Sequence, residues 1–379
     1  MSGRIILLML SACAFFATAA NADQTNAPLA PVSQITIETI TEGLTNPWAV
    51  QVLPDGRYLV SERPGRLKLI SIDGKKQSVI NGLPAIEAGG QGGLLDIALA
   101  PDFALNSTIF FSFSESRGEA GNGTSVARAR LVLDSAGGHL ENLKVIFQQQ
   151  PGVQSAFHFG SRLVFARDGT LFVTTGERAV VRDQAQNPAN QLGKVIHITT
   201  DGEPAPNNPR LPGWNDKVWS IGHRNMQGAA LHPETGQLWT VEHGARGGDE
   251  LNHPEAGKNY GWPVITYGRD YTFLPIGEGT AKAGMEQPVY YWDPSIAVSG
   301  LAFYTGDMFA AWKGNLLVGA LSGAQLQRLV LHDGVVVAHE KLLADFGERI
   351  RDVRQAPDGS VLILTDSTRG RLLRVTPKH

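Results

Sequence analysis

One phrase recurs along this chain and limits what it can fold into: an apolar strand, a glycine-bearing turn, then a second apolar strand. It reads Leu163-Val164-Phe165, Asp168-Gly169, Leu171-Phe172-Val173, and again Ala229-Ala230-Leu231, Thr235-Gly236, Leu238-Trp239-Thr240. It returns as Leu301-Ala302-Phe303 through Lys313-Gly314 to Leu316-Leu317-Val318, and as Val353 through Asp358-Gly359 to Val361-Leu362-Ile363. Residues 48–53 lead through Asp55-Gly56 to Tyr58, and a variant runs from residues 95–99 through Pro101-Asp102-Phe103 to Ile109-Phe110-Phe111. Third strands follow at 67–70, 194–198, 326–330 and 372–375. No long helical periodicity competes, so the pattern predicts an antiparallel all-β protein. Six similar, irregularly spaced units predict a six-bladed β-propeller; a pair of β-sandwiches would need no such likeness among units. The strand at 35–38 is predicted to complete the last blade and leave no free edge. Long segments rich in Gly, Pro, Asn and Asp, at 200–214 between blades 3 and 4 and at 244–291 between blades 4 and 5, are the places to build a site.

The N-terminus carries Arg4, an apolar run over 5–20 and Ala20-Asn21-Ala22, the pattern of a secretory signal cleaved after Ala22. Residues 23–379 then form a single exported domain, periplasmic or secreted. A lipoprotein reading at Cys13, from Leu10-Ser11-Ala12-Cys13, leaves the apolar run 14–20 unexplained. The run is also shorter than the roughly 20 residues a bilayer span needs. Cleavage removes the only cysteine, so disulfides, thiolate ligands and a cysteine nucleophile are excluded from the mature chain. A formal charge of −3 argues against a nucleic acid or anionic membrane held by charge.

If the first strand of each unit lines the axis, polar residues just ahead of it meet at one mouth. His158 and Asn225 each lie ten residues before Asp168 and Thr235, and Gln91 lies eleven before Asp102. Arg349 and Arg351 precede Asp358 by nine and seven. Gln91, His158, Arg224, Asn225, Arg349 and Arg351 are therefore expected to converge, joining guanidinium forks suited to carboxylates with an imidazole able to take a proton. Taken singly, each arginine reads as a surface ion-pair partner and His158 as a buried structural histidine. The shared position in the repeat favours an anionic cofactor's cradle with a base beside it.

These residues sit in longer strings: Gly89-Gly90-Gln91-Gly92-Gly93-Leu94-Leu95-Asp96, His158-Phe159-Gly160-Ser161-Arg162-Leu163, Gly222-His223-Arg224-Asn225, Asp249-Glu250-Leu251-Asn252 with Asn259-Tyr260-Gly261-Trp262-Pro263, and Arg349-Ile350-Arg351-Asp352-Val353. In order and across nearly the whole mature chain, they resemble the soluble PQQ-dependent sugar dehydrogenases, most closely the aldose branch. The resemblance implies a six-bladed propeller holding pyrroloquinoline quinone (PQQ) at its mouth, with one Ca2+ on the quinone and another supporting the structure. Carried over by position, His158 is the base, and Gln91, Arg224, Asn225, Arg349 and Arg351 contact the cofactor. The Gly244 and Ala245 carbonyls bind its calcium; Glu250 and Tyr260, the latter through its carbonyl, serve the second, with Asp270 a further candidate; Trp292 is a candidate for flanking the cofactor plane and reads equally as a tryptophan packed between blades. The implied reaction takes the anomeric hydroxyl proton to His158 and the C1 hydride to the quinone, with calcium and Arg224 stabilising the growing charge. A lactone leaves and an external acceptor reoxidises the cofactor.

Two positions depart from the glucose-specific relatives. Phe157 stands where they carry an acid just before the base, and Ala320-Leu321-Ser322-Gly323 replaces a lysine that meets the cofactor. Other readings of such a ring are a calcium-dependent lactonase or esterase, which wants Asn, Asp and Glu at the mouth rather than arginines, and a non-catalytic binding propeller, which needs no base.

Overall fold

The computed structural model describes residues 27–378, so the expected signal segment, Cys13 and the expected cleavage after Ala22 lie outside the described residues. The fold is nearly all β; its one α-helix among the described residues is the four-residue Phe103–Asn106. No helix there is long and apolar enough to cross a membrane. In chain order the strands are β1 (Ile35–Leu44); β2 (Pro47–Val52), β3 (Tyr58–Glu62), β4 (Arg66–Ile70) and β5 (Gln77–Asn81); β6 (Leu94–Leu99), β7 (Thr108–Ser116), β8 (Asn122–Leu133) and β9 (Gly138–Gln148); β10 (Gly160–Phe165), β11 (Leu171–Thr175), β12 (Lys194–Ile198) and β13 (Val218–Ile221); β14 (Met226–Leu231), β15 (Leu238–Glu242), β16 (Asp249–Asn252) and β17 (Tyr290–Trp292); β18 (Val298–Phe303), β19 (Leu316–Ala320), β20 (Gln325–His332) and β21 (Val335–Leu342); β22 (Ile350–Gln355), β23 (Val361–Thr365) and β24 (Gly370–Pro377).

Three sheets take four consecutive strands each, β10–β13, β14–β17 and β18–β21, and a fourth has the order β1-β24-β23-β22. The N-terminal strand thus completes the C-terminal sheet, pairing Ile35 with Pro377 and Ile37 with Val375. The remaining eight strands form one sheet whose halves, β2–β5 and β6–β9, join through the parallel pairs Ile80↔Gly138 and Asn81↔His139. First strands pack against one another in a closed cycle: β2, β6, β10, β14, β18, β22 and back to β2.

The second strands are buried along their whole length in β11, β15, β19 and β23, because apolar sheets cover both of their faces. The turn before several of them has one chemistry. Asp55, Asp168 and Asp358 each accept from the backbone N–H two residues on, at 3.1, 3.0 and 2.9 Å, and the intervening Gly56, Gly169 and Gly359 hold φ of 86°, 82° and 86°. Glycine meets that left-handed turn without a Cβ penalty.

The two long segments correct the expected boundaries. Residues 200–214 link β12 to β13 inside one sheet, and 244–291 contain β16 and the start of β17. Both lie within sheets rather than between them; the strands that they lead to or contain, β13, β16 and β17, are only three or four residues long and do not stand out from loop.

A buried ion cluster ties the first strands together. Arg162 of β10 pairs with Asp96 of β6 at 3.3 Å and Asp352 of β22 at 2.9 Å; Arg354 meets the same two carboxylates at 2.8 and 3.1 Å.

Candidate active site

Residues ahead of the first strands meet at two cavities, of about 200 and 400 Å³, that share Gln91 as a lining residue. The larger is lined by His158, Glu177, Arg224 and Trp262, with Phe157 and Tyr271 at its edge; the smaller by Trp48, Gln227, Arg349, Arg351 and Asp366. Asn225 lines neither cavity; it is fully buried behind the smaller one, its Oδ1 accepting from Gly160 N at 3.1 Å and Gln227 Nε2 at 3.1 Å. Five of the six residues singled out thus line the two cavities, and Asn225 packs against the wall of one.

His158 lies two residues ahead of β10 and is buried. Its backbone N–H donates to Gln91 Oε1 at 2.8 Å, and its Nδ1 lies 3.0 Å from Glu177 Oε1. A carboxylate can only accept, so Nδ1 carries the proton and Nε2 is the proton-accepting atom. Burial draws the imidazole below its ordinary pKa; the hydrogen bond to Glu177 opposes this and the charge of Arg224 adds to it. The backbone here is held in the left-handed region at His158 (φ 52°), Ser161 (φ 94°), Arg178 (φ 70°) and Ala179 (φ 63°), a concentration of strain typical of working sites.

Glu177 supplies the orientation that Phe157 cannot. The spacing of the repeat did not single it out, although a signal exists: β10 and β11 pair Gly160 with Thr175, and continuing that pairing outward by two residues sets 158 opposite 177. Glu177 is itself fixed, its backbone N–H donating to Arg224 O at 3.0 Å and its Oε2 accepting from Ala179 N.

Arg224 is braced from behind. Its backbone N–H donates to Glu242 Oε2 at 2.6 Å, and Glu242 Oε1 lies 3.0 Å from His223 Nδ1, whose Nε2 meets Ser220 Oγ at 2.9 Å. Ser220 and His223 are fully buried, so this chain of side chains supports and does not react. The guanidinium lies 5.1 Å from the Trp262 ring, and Nη1 donates to His243 O at 3.3 Å.

In the smaller cavity Asp366 Oδ2 receives Arg349 Nη2 at 3.0 Å and Arg351 Nη2 at 3.2 Å. Burial pushes the Asp366 carboxyl up, but Arg351 and Arg349 outweigh it and hold it below its ordinary value. One carboxylate thus faces Arg63, Arg349 and Arg351, leaving the cavity cationic. Among the described residues Arg224 Nε, Arg351 Nε and Asn225 Nδ2 are buried donors with no acceptor. Such donors are costly unless a ligand meets them.

The expected metal ligands divide. Ala245 lines the larger cavity, and Gly244 N donates to Asp249 Oδ1 at 2.9 Å. Glu250 faces Glu242 across the β15–β16 pair, and burial with the charge of Glu242 pushes its carboxyl up to about 8. The Tyr260 hydroxyl donates to His253 O at 2.8 Å and accepts from Glu255 N at 3.0 Å, so only its carbonyl is left for a cation. Asp270 is engaged differently, by Arg182 at 3.2 Å on the rim of the His158 cavity. No group of three or more His, Cys, Asp or Glu side chains gathers among the described residues, so carbonyl oxygens would have to dominate any cation site.

Trp292 is a correction. It sits in the core, 2% exposed, its Nε1 donating to Gln327 Oε1 at 2.8 Å and its ring edge-on to Tyr290, and it lines neither cavity. The apolar setting of β17 turns this ring inward as packing between sheets.

An imidazole held by a carboxylate thus lies beside an arginine-rich pocket on a ring of sheets. Residues 44–374 match the family model for Glucose / Sorbosone dehydrogenase, and the chain belongs to that family and is an oxidoreductase. It is 40% identical over 350 residues to the aldose sugar dehydrogenase YliI of Escherichia coli (strain K12), covering 91% of this chain and 94% of that one. A solved glucose dehydrogenase is 46% identical with TM-score 0.87, covering 90% of this chain and 100% of that chain. The PQQ-bound form of an aldose sugar dehydrogenase from Streptomyces coelicolor is 29% identical with TM-score 0.74, covering 91% and 100%. The fold is that of these β-propellers.

Proposed function

We propose that this protein is an exported six-bladed propeller that oxidises aldose sugars at C1 to lactones, using PQQ as cofactor and His158 as general base, and passes the electrons to an external acceptor. The closed cycle of six first strands supports the blade count. One observation carries the functional reading: Arg351 Nε at the arginine-rich pocket and Arg224 Nε beside the oriented imidazole are buried donors without acceptors, with Asn225 Nδ2 a third behind the smaller cavity's wall. A quinone bearing several carboxylates would satisfy those donors, and the PQQ-bound relative supports that choice.

Gln91, Asn225, Arg349 and Arg351 would hold the cofactor, which when bound supplies a hydride acceptor. His158 Nε2 takes the proton of the anomeric hydroxyl, and Glu177 stabilises the imidazolium that results. Arg224 sets a fixed positive charge beside the reacting atoms, worth more in a site shielded from water. Calcium is assigned to the Gly244 and Ala245 carbonyls, and a second ion to Glu250 with the Tyr260 carbonyl. Millimolar CaCl2 should raise the thermal transition of the purified protein and EDTA should reverse this, with Glu250→Gln losing part of the response; a transition indifferent to calcium would remove both assignments.

His158 must be neutral to act, and its pKa is depressed, so the acid limb of kcat/KM should lie below the ordinary imidazole value of about 6.5. Activity is present above that limb and is lost as pH falls through it. Glu177→Gln removes the interaction that raises the pKa, so the limb should move to still lower pH while kcat drops about tenfold or more. A pH–rate profile of the two proteins checks this, and an unmoved limb counts against the pair.

A further inference from the structure

We propose that Gln227 is a positioning residue: its amide aims Arg351 and Asn225 at the anionic cofactor and so sets the affinity of the pocket. The inference rests on the functional reading above. Gln227 is buried at the wall of the smaller cavity. Its Oε1 accepts from Arg351 Nη1 at 3.0 Å, and its Nε2 donates to Asn225 Oδ1 at 3.1 Å and to Gly160 O at 3.3 Å. One primary amide therefore fixes two ligand arms with opposite polarity. Asn225 Oδ1 is doubly engaged, by Gln227 and by Gly160 N, which leaves Nδ2 as a buried donor without an acceptor. Arg351, held at Nη1 by Gln227 and at Nη2 by Asp366, keeps Nε as its unused donor.

The amide is anchored in turn. Arg162 Nε donates to Gln227 O at 2.6 Å and Nη2 to Arg351 O at 3.4 Å, while Arg162 itself is locked between Asp96 and Asp352. Main chain and side chain of the cofactor arms are thus referred to the same axial ion cluster. A glutamate at 227 would still accept from Arg351, but it would set a carboxylate against two acceptors, Asn225 Oδ1 and Gly160 O. Asn225 would then have to turn its amide over, withdrawing Nδ2 from the ligand, and the added charge would repel an anion. A methionine fills the same length with no hydrogen bond.

The test is a titration of the purified full chain with PQQ at saturating CaCl2, followed by cofactor absorbance and protein fluorescence, for wild type, Gln227→Met and Gln227→Glu. Losing a hydrogen bond to a charged group should weaken cofactor binding about tenfold in the methionine variant. The glutamate variant should lose about a hundredfold, since repulsion adds to a lost donor. KM for the sugar should hold in both. A role in packing alone would not rank glutamate below methionine, nor spare the thermal transition while moving Kd. Variants with the wild-type transition that bind PQQ within about twofold of wild type would overturn the proposal. A wild-type protein that takes up no quinone would overturn the functional reading itself, and the role of Gln227 with it.

Discussion

Replacing His158 by alanine is expected to lower kcat by about 10²- to 10⁴-fold, the range for a positioned general base, while cofactor affinity stays close to wild type. The size follows from the geometry. Nδ1 is committed to Glu177 at 3.0 Å, so the ring presents one acceptor in a fixed direction. The other carboxylates of the wall are engaged, Glu177 by Ala179 N and Asp270 by Arg182 and Thr272, and Arg224 is a cation. Affinity is expected to be spared because the donors proposed to hold the cofactor belong to Gln91, Asn225, Arg349 and Arg351. Steady-state dye reduction beside a PQQ titration separates the two effects. A variant that loses cofactor binding in proportion to kcat would show that His158 holds the cofactor rather than the proton.

Replacing Arg162 by leucine is expected to cost about 3–5 kcal/mol of stability, the penalty for leaving a buried charge without its partner. Arg162 is 2% exposed and joins Asp96 and Asp352 with the backbone carbonyls of Gln227 and Arg351. Leucine leaves two buried carboxylates with Arg354 as their remaining cation, beside the backbone N–H groups of Val50, Ile97 and Leu163, and frees the Gln227 and Arg351 carbonyls. Thermal unfolding should show a transition several degrees lower. An unchanged transition would mean that the cluster contributes specificity of pairing and little stability.

Much of this was legible in the sequence because the architecture repeats. A similar turn marks each hairpin, Asp-Gly in three of them, so the offset from it to His158, Asn225 or Arg351 carries three-dimensional information even though those residues are far apart along the chain. The closing strand at the N-terminus was legible for the same reason. What the repeat could not give were residues whose role depends on contacts across strands. Glu177 follows a second strand and meets His158 through hairpin pairing. Asp366 follows a second strand and meets Arg349 and Arg351 across its own hairpin, while Gln227 reaches Arg351 on another sheet. The long polar segments concealed β13, β16 and β17, since four- and three-residue strands carry too little alternation to stand out from loop. Trp292 could be read either way from its neighbours, and only the packing against Tyr290 and Gln327 assigns it to the core.

The most direct measurement is reconstitution: add PQQ and CaCl2 to the purified full chain and follow dye reduction with a panel of aldoses, with His158→Ala alongside. The expected result is dye reduction that requires sugar, quinone and calcium together and collapses in the variant. A protein that takes up no quinone, or reduces dye equally without His158, would contradict the dehydrogenase mechanism and turn attention to hydrolysis or binding at the same mouth.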